Sequence, residues 1–186
     1  MRKNSQHGPL IMVVGASGVG KDTLIAGAQR QLGENGSFVF PRRYITRPAD
    51  YGNEVHVAVS ARNFEQMRVD GEFALHWMAH GFCYGITKEI GNRLEKGRAV
   101  VVNGSRAVVD VARAHFSPFY AVHVIASHDV IAGRLAERGR EIPAQLATRL
   151  ERAAPNAGIG DVVFRNDAPV NQAIGTFSEI LKSLYD

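Results

Sequence analysis

Residues 15–23 read Gly-Ala-Ser-Gly-Val-Gly-Lys-Asp-Thr, directly after the apolar run Leu10–Val14 and directly before a segment with helical periodicity. G-x-x-x-x-G-K with a strand before it and a helix after it marks a loop that wraps its backbone N–H groups around a phosphate. The glycines let those amides turn inward, the helix N-terminus adds positive potential, and Lys21 can reach the outer phosphates of a nucleotide. Gly15, Ala16, Ser17, Gly18, Val19, Gly20, Lys21, Asp22 and Thr23 are therefore the expected nucleotide-binding loop. One position departs from the pattern, because Asp22 stands where a Ser or Thr commonly ligates Mg²⁺. A carboxylate there still offers the oxygen ligand that Mg²⁺ prefers. Thr23 is the alternative ligand, and a charge that merely complements the helix dipole is the alternative role for Asp22.

Such a loop implies a parallel α/β sheet, and the chain alternates accordingly. Helical periodicity over 22–32 places Leu24, Ile25, Ala28 and Leu32 on one face. Strands are expected at 38–45, 99–102, 120–126 and 161–164, and helices at 105–115, 129–138 and 170–184. The β-branched strands suit a sheet covered on both faces by helices. Two stretches break the alternation. Residues 46–97 carry strand-like 55–60, a short helix near 61–69, strands around 73–79 and a helix over 87–96. Residues 137–149 are rich in Arg and Glu, which suits a flap. Insertions of this kind sit beyond the carboxyl ends of the strands, where open α/β sheets bind ligands.

The chain has 186 residues, 45% hydrophobic and 22% charged, which fits one globular domain with a real core. No apolar run is long enough for a membrane helix, the first nine residues lack a signal-peptide pattern, and the single cysteine, Cys83, suits a reducing, cytoplasmic setting. The net charge is +4, and 17 of the 22 basic residues are Arg. They are scattered rather than striped with aromatics, which argues against nucleic acid. Guanidinium forks match phosphate oxygens two at a time, so the bias fits small phosphorylated ligands. His76, His80 and Cys83 have suggestive spacing but lack a fourth ligand for zinc, and His80 is better read as a pocket lining. Oligomeric state has no signal in the sequence.

Thr46-Arg47-Pro48, the segment Phe73–Gly85 ending in Tyr84-Gly85, and Arg134 through Arg138-Gly139-Arg140-Glu141 resemble the guanylate kinase family over nearly the whole chain. The resemblance implies a single P-loop kinase domain over 1–186. Its core would cover about 8–41 and 98–186, with an acceptor-binding insertion at about 42–97 and a lid at about 137–149. It implies ATP and Mg²⁺ as cofactors. The departures are informative. Where that family reads guanine with a Glu, an ungapped alignment puts Leu75, and where the third core strand ends in aspartates, this chain has Asn103-Gly104-Ser105-Arg106. A site that loses its buried acceptor loses discrimination for the base.

Gly20-Lys21-Asp22, Ile45–Pro48, Ala58–Ser60, Ala79–Gly81, Tyr84–Ile86, Asn103–Arg106 and Arg138–Glu141 together look like one branch of that family, the ribose 1,5-bisphosphate phosphokinases of phosphonate breakdown. That resemblance implies transfer of the ATP γ-phosphoryl group to the 1-phosphate of a phosphorylated sugar. The expected catalytic residues are Lys21, Arg47, Arg138 and Arg149. Arg42, Arg43, Arg47, His80, Tyr84, Ser105 and Arg106 are expected at the acceptor, and Arg134, Arg138 and Arg140 in the lid. The competing readings are a guanylate-like nucleoside monophosphate kinase and a non-enzymatic binding module of the same fold, which would lack the phosphate loop that Gly15, Gly20 and Lys21 preserve here.

Overall fold

A computed structural model describes residues 7–48, 55–137 and 160–186. Its centre is β1 (Leu10–Val14), whose five residues are all buried. On one side of β1 runs β7 (Ala99–Asn103) and beyond it β2 (Phe38–Val39); on the other side run β8 (Phe119–Ile125) and β9 (Val162–Arg165). All four pairings are parallel. Alternate β1 residues feed opposite layers, as the pleat requires. Ile11 and Val13 pack with α1 (Lys21–Leu32), α5 (His128–Glu137) and α6 (Val170–Tyr185) through Leu24, Ala28, Ile131, Phe177 and Leu181. Leu10, Met12 and Val14 pack with α3 (Glu89–Glu95) and α4 (Val109–His115) through Ile90, Leu94, Val109 and Ala112. This is a parallel α/β sheet covered by helices on both faces.

The second layer continues into a four-stranded sheet of order β4-β3-β6-β5, built from β3 (Tyr44–Ile45), β4 (Val57–Ala58), β5 (Phe73–Ala79) and β6 (Phe82–Thr87). Ile45, Leu75, Trp77, Tyr84 and Ile86 from this sheet share one buried cluster with Met12 and Val102 of the main sheet. β5 and β6 form a hairpin around His80 and Gly81, whose φ angles are 52° and 78°. Between β4 and β5, α2 (Ala61–Val69) starts at Ser60, whose hydroxyl accepts the Asn63 N–H at 3.1 Å.

Three sequence expectations change. The single strand expected over 38–45 is two strands in different sheets: Phe38–Val39 joins the main sheet and Tyr44–Ile45 the second. Pro41, lacking an N–H, lies between them and cannot donate to a ladder. The strand expected over 55–60 contracts to Val57–Ala58, held to β3 by Val57 N–H to Arg43 O and Val59 N–H to Ile45 O. The helix expected from Ser105 opens with a 3₁₀ turn, Arg106–Val108, before α4. Among the described residues no helix is long and apolar enough to cross a membrane.

The chain leaves β1 toward β2 and leaves β8 toward β9. The carboxyl ends of β1 and β8 therefore face a crevice, the topological switch point at which such sheets bind ligands.

Candidate active site

The phosphate loop fills that crevice. Gly15 has φ 148°, and a Cβ there would come within 2.3 Å of the Val124 carbonyl oxygen of β8. Gly20 has φ 93°, with the Asn166 amide 2.5 Å from where a Cβ would stand. Both conformation and space demand glycine at these two positions. Lys21 Nζ donates to the carbonyl oxygens of Gly15 and Ala16, each at 2.8 Å, so the ammonium lies over the loop it serves. Behind the loop, the Val19 carbonyl accepts from Asn166 Nδ2 at 2.7 Å and from Arg134 at 3.3 Å. Arg134 also donates to the Asn166 carbonyl at 3.0 Å. Arg134 was expected in the lid; its guanidinium instead braces the back of the phosphate loop, tying the last turn of α5 to it.

A cleft of about 260 Å³ opens in front of the loop. Gly15, Ala16, Ser17, Gly18, Gly20, Lys21 and Asp22 form one wall. The facing wall comes from the second sheet and from the segment after β7. It holds Arg43, Arg47, Trp77, Ala79, His80 and Tyr84, with Asn103, Gly104, Ser105 and Arg106. Four of the described lining residues are cationic, and Asp22 is the sole carboxylate among them. The field in the cleft therefore favours anions.

The facing wall is rigidly built. Trp77 and Tyr84 pair across the hairpin, their rings stacked 5.5 Å apart and tilted by 4°. Both are over nine-tenths buried. The Arg43 guanidinium carbon lies 5.1 Å from the Tyr84 ring centroid and 6.0 Å from that of Trp77. His56, also buried, donates from Nε2 to the Arg47 carbonyl at 3.0 Å, fixing the backbone that carries the second arginine. Ser105 lines the cleft and its hydroxyl accepts the Ala107 N–H at 3.3 Å. At the end of β7, Asn103 Nδ2 donates to Asp22 Oδ1 at 2.5 Å. On β8, burial pushes the His123 imidazole below its ordinary pKa, and the charges of Arg106 and Lys21 push the same way. His123 stays neutral beside the cationic cleft at neutral pH.

Not every expected residue reaches the cleft. Arg42 and Thr23 are exposed and line none of it. Leu75 is 3% exposed and packed in the core two residues short of the cleft; Trp77, on the same strand face, is the one that reaches it. His80 sits at the rim, exposed, on the hairpin turn. Arg138, Arg140 and Arg149 lie outside the described residues. The site residues expected from the sequence omit Trp77, Asn103, His56 and Asn166. Asn103 stood in the segment that departs from the family pattern, and Trp77 had a local signal, since a hairpin turning at His80-Gly81 sets it opposite Tyr84.

The guanylate kinase family model matches residues 7–184. A ribose 1,5-bisphosphate phosphokinase of Acidiphilium cryptum is 45% identical over 95% of this chain and 93% of its own. The chain belongs to the ribose 1,5-bisphosphate phosphokinase branch of the guanylate kinase family. A bifunctional ribose 1,5-bisphosphokinase-thymidine phosphorylase of Azorhizobium caulinodans is 45% identical over 80% of this chain, which spans only 21% of that longer protein. The fold of this family member is also that of the crystal structure of guanylate kinase from Anaplasma phagocytophilum, with a TM-score of 0.67 at 17% identity, covering 95% of this chain and 86% of that one. In this family member arginines and a stacked aromatic pair line the facing wall, which holds no carboxylate among its described lining residues.

Proposed function

We propose that the chain transfers the γ-phosphoryl group of ATP to the 1-phosphate of ribose 1,5-bisphosphate, giving 5-phospho-α-D-ribose 1-diphosphate and ADP, a step of phosphonate breakdown. The carrying observation is the facing wall: Arg43, Arg47 and Arg106 oppose the phosphate loop across one cleft whose sole carboxylate, among the described lining residues, is Asp22. That wall suits an acceptor with two phosphates and no base. The names of the relatives support the same acceptor. A single kinase domain with a core, an acceptor-binding insertion at about 42–97 and a lid at about 137–149 is part of this reading, as is a cytoplasmic setting.

The chemistry needs no general base. The attacking oxygen belongs to a phosphate already ionised at neutral pH. It forms a new P–O bond to the γ-phosphorus while the β–γ bridging bond breaks and its electron pair stays on ADP. Catalysis then rests on positioning and on neutralising charge between two anions. Lys21 serves the outer phosphates of ATP, Arg47 and Arg43 hold the acceptor phosphates, and Arg106 sits where the two anions meet. Arg138, Arg140 and Arg149 belong to the lid in this reading. Asp22 fits Mg²⁺, since it is an oxygen donor beside the buried Oδ1 of Asn103, which has no hydrogen-bond partner among the described residues. Bound there with ATP, Mg²⁺ supplies charge neutralisation at the β- and γ-phosphates.

The test is ³¹P NMR of a mixture of purified protein, ATP, Mg²⁺ and ribose 1,5-bisphosphate. The expected result is a new diphosphate at C1 with equal ADP, lost in a folded Lys21→Ala variant. ADP release without a sugar diphosphate, or transfer that survives in Lys21→Ala, would overturn the proposal.

A further inference from the structure

We propose that this chain has exchanged the two chemical roles at its metal–nucleotide site. The charged group for Mg²⁺ stands on the first turn of α1, as Asp22, and its neutral polar partner stands at the end of β7, as Asn103. The general arrangement in P-loop NTPases is the reverse: a Ser or Thr hydroxyl on the helix and an aspartate from a neighbouring strand. The inference deepens the reading above and rests on its nucleotide half.

Asp22 directly follows Lys21, the position of the usual hydroxyl. β7 runs parallel to β1 with Asn103 opposite Val13, so the end of β7 delivers its side chain beside the phosphate loop. There the two meet, Asn103 Nδ2 donating to Asp22 Oδ1 at 2.5 Å across 81 residues of sequence. A carboxylate accepts only, so the contact fixes the amide with its nitrogen toward Asp22. Its Oδ1 is then left as an acceptor, buried and without a hydrogen-bond partner among the described residues. A buried acceptor of this kind needs a donor. A water on a hydrated Mg²⁺, which keeps several of its waters when protein-bound, is such a donor. A capping role for Asp22 would explain its place on the helix but not this second atom.

The charge argument makes the two positions interdependent. Either arrangement brings one carboxylate to the cation. Thr on the helix with Asn on the strand would bring none. Asp at both would press two carboxylates together, which raises the pKa of one and repels the nucleotide phosphates. The exchange is therefore viable only as a pair.

The experiment measures ADP affinity by calorimetry with Mg²⁺ and with EDTA, in the wild type, Asp22→Asn, Asp22→Thr, Asn103→Asp and the double variant Asp22→Thr/Asn103→Asp. The wild type is expected to gain affinity from Mg²⁺. Asp22→Asn and Asp22→Thr should lose about tenfold or more of that gain. Their metal-free affinity should hold or tighten, since a negative charge has left the phosphates, and this confirms that the loop is folded. The double variant should recover most of the gain lost in Asp22→Thr. Full Mg²⁺ dependence in Asp22→Asn, or a double variant no better than Asp22→Thr, overturns the exchange. Turnover of ribose 1,5-bisphosphate by the wild type is measured alongside. Turnover with no rescue sinks the exchange alone, whereas rescue with no turnover sinks the acceptor assignment alone.

Discussion

Arg43 is held by packing as much as by charge. Its guanidinium lies against Tyr84 and Trp77, which are locked by their own stacking and burial. Each partly desolvated cation–π contact is worth about 0.5–2 kcal/mol, and a pre-positioned fork loses little entropy on meeting a phosphate. Losing a charge-assisted hydrogen bond costs about 1.5–3 kcal/mol, which is roughly ten- to a hundredfold in affinity. Arg43→Gln should therefore raise the acceptor KM about ten- to a hundredfold while leaving the ATP KM unchanged. Steady-state kinetics with each substrate varied in turn checks this, and an equal rise in both KM values would place Arg43 outside the acceptor subsite. Truncating Trp77 to Ala is the poorer probe, because removing a buried aromatic costs about 3–5 kcal/mol of stability. The same face of β5 shows where residue-level reading fell short. Phe73, Leu75 and Trp77 alternate inward at the strand period of two, so all three look alike in sequence. Only the position of the sheet's end decides which one reaches the cleft, and that is a tertiary fact.

The elements legible in the sequence were those with a sustained period or a strong boundary. β1, α2, β5 and α6 lie at or within a residue of their expected ranges. The run from Phe38 to Ile45 misled because its apolar and aromatic residues span a sheet change that only Pro41 hints at. The Asp22–Asn103 contact had no local signal at all, since register between β1 and β7 creates it. Register at the other edge of the main sheet depends on Asp161. Its carboxylate takes Arg113 at 2.9 and 3.0 Å and the Ala121 N–H at 2.7 Å, docking β9 on β8. Burial pushes its pKa up, but the Arg113 and Ala121 bonds outweigh that and hold it below the ordinary carboxylate value. A carboxyl with a depressed folded pKa stabilises the fold above its unfolded pKa and loses that contribution as pH falls through the folded value. Asp161→Asn should accordingly be less stable than wild type at neutral pH, with the gap closing on acidification. Urea melts across the acid range check this, and a constant gap would remove the ion pair from the pH dependence.

At the scale of the whole molecule, the two sheets line opposite sides of one cleft. The parallel sheet presents the phosphate loop at its switch point and Arg106 beyond β7, and the second sheet, packed on the same core through Ile45, Trp77 and Tyr84, presents Arg43 and Arg47. The modest net charge of +4 concealed this arrangement, because what matters is where the cations gather. Lys21, Arg43, Arg47 and Arg106 converge on a single cleft with one carboxylate among its described lining residues. Among the described residues that wall offers a purine no carboxylate to read its edge, and a pocket without such a group discriminates poorly in favour of the base. The most direct test is the ratio of kcat/KM for ribose 1,5-bisphosphate over GMP, measured with saturating ATP and Mg²⁺. The structure leads to a ratio of at least about a hundred in favour of the sugar bisphosphate; a ratio at or below about one would contradict it.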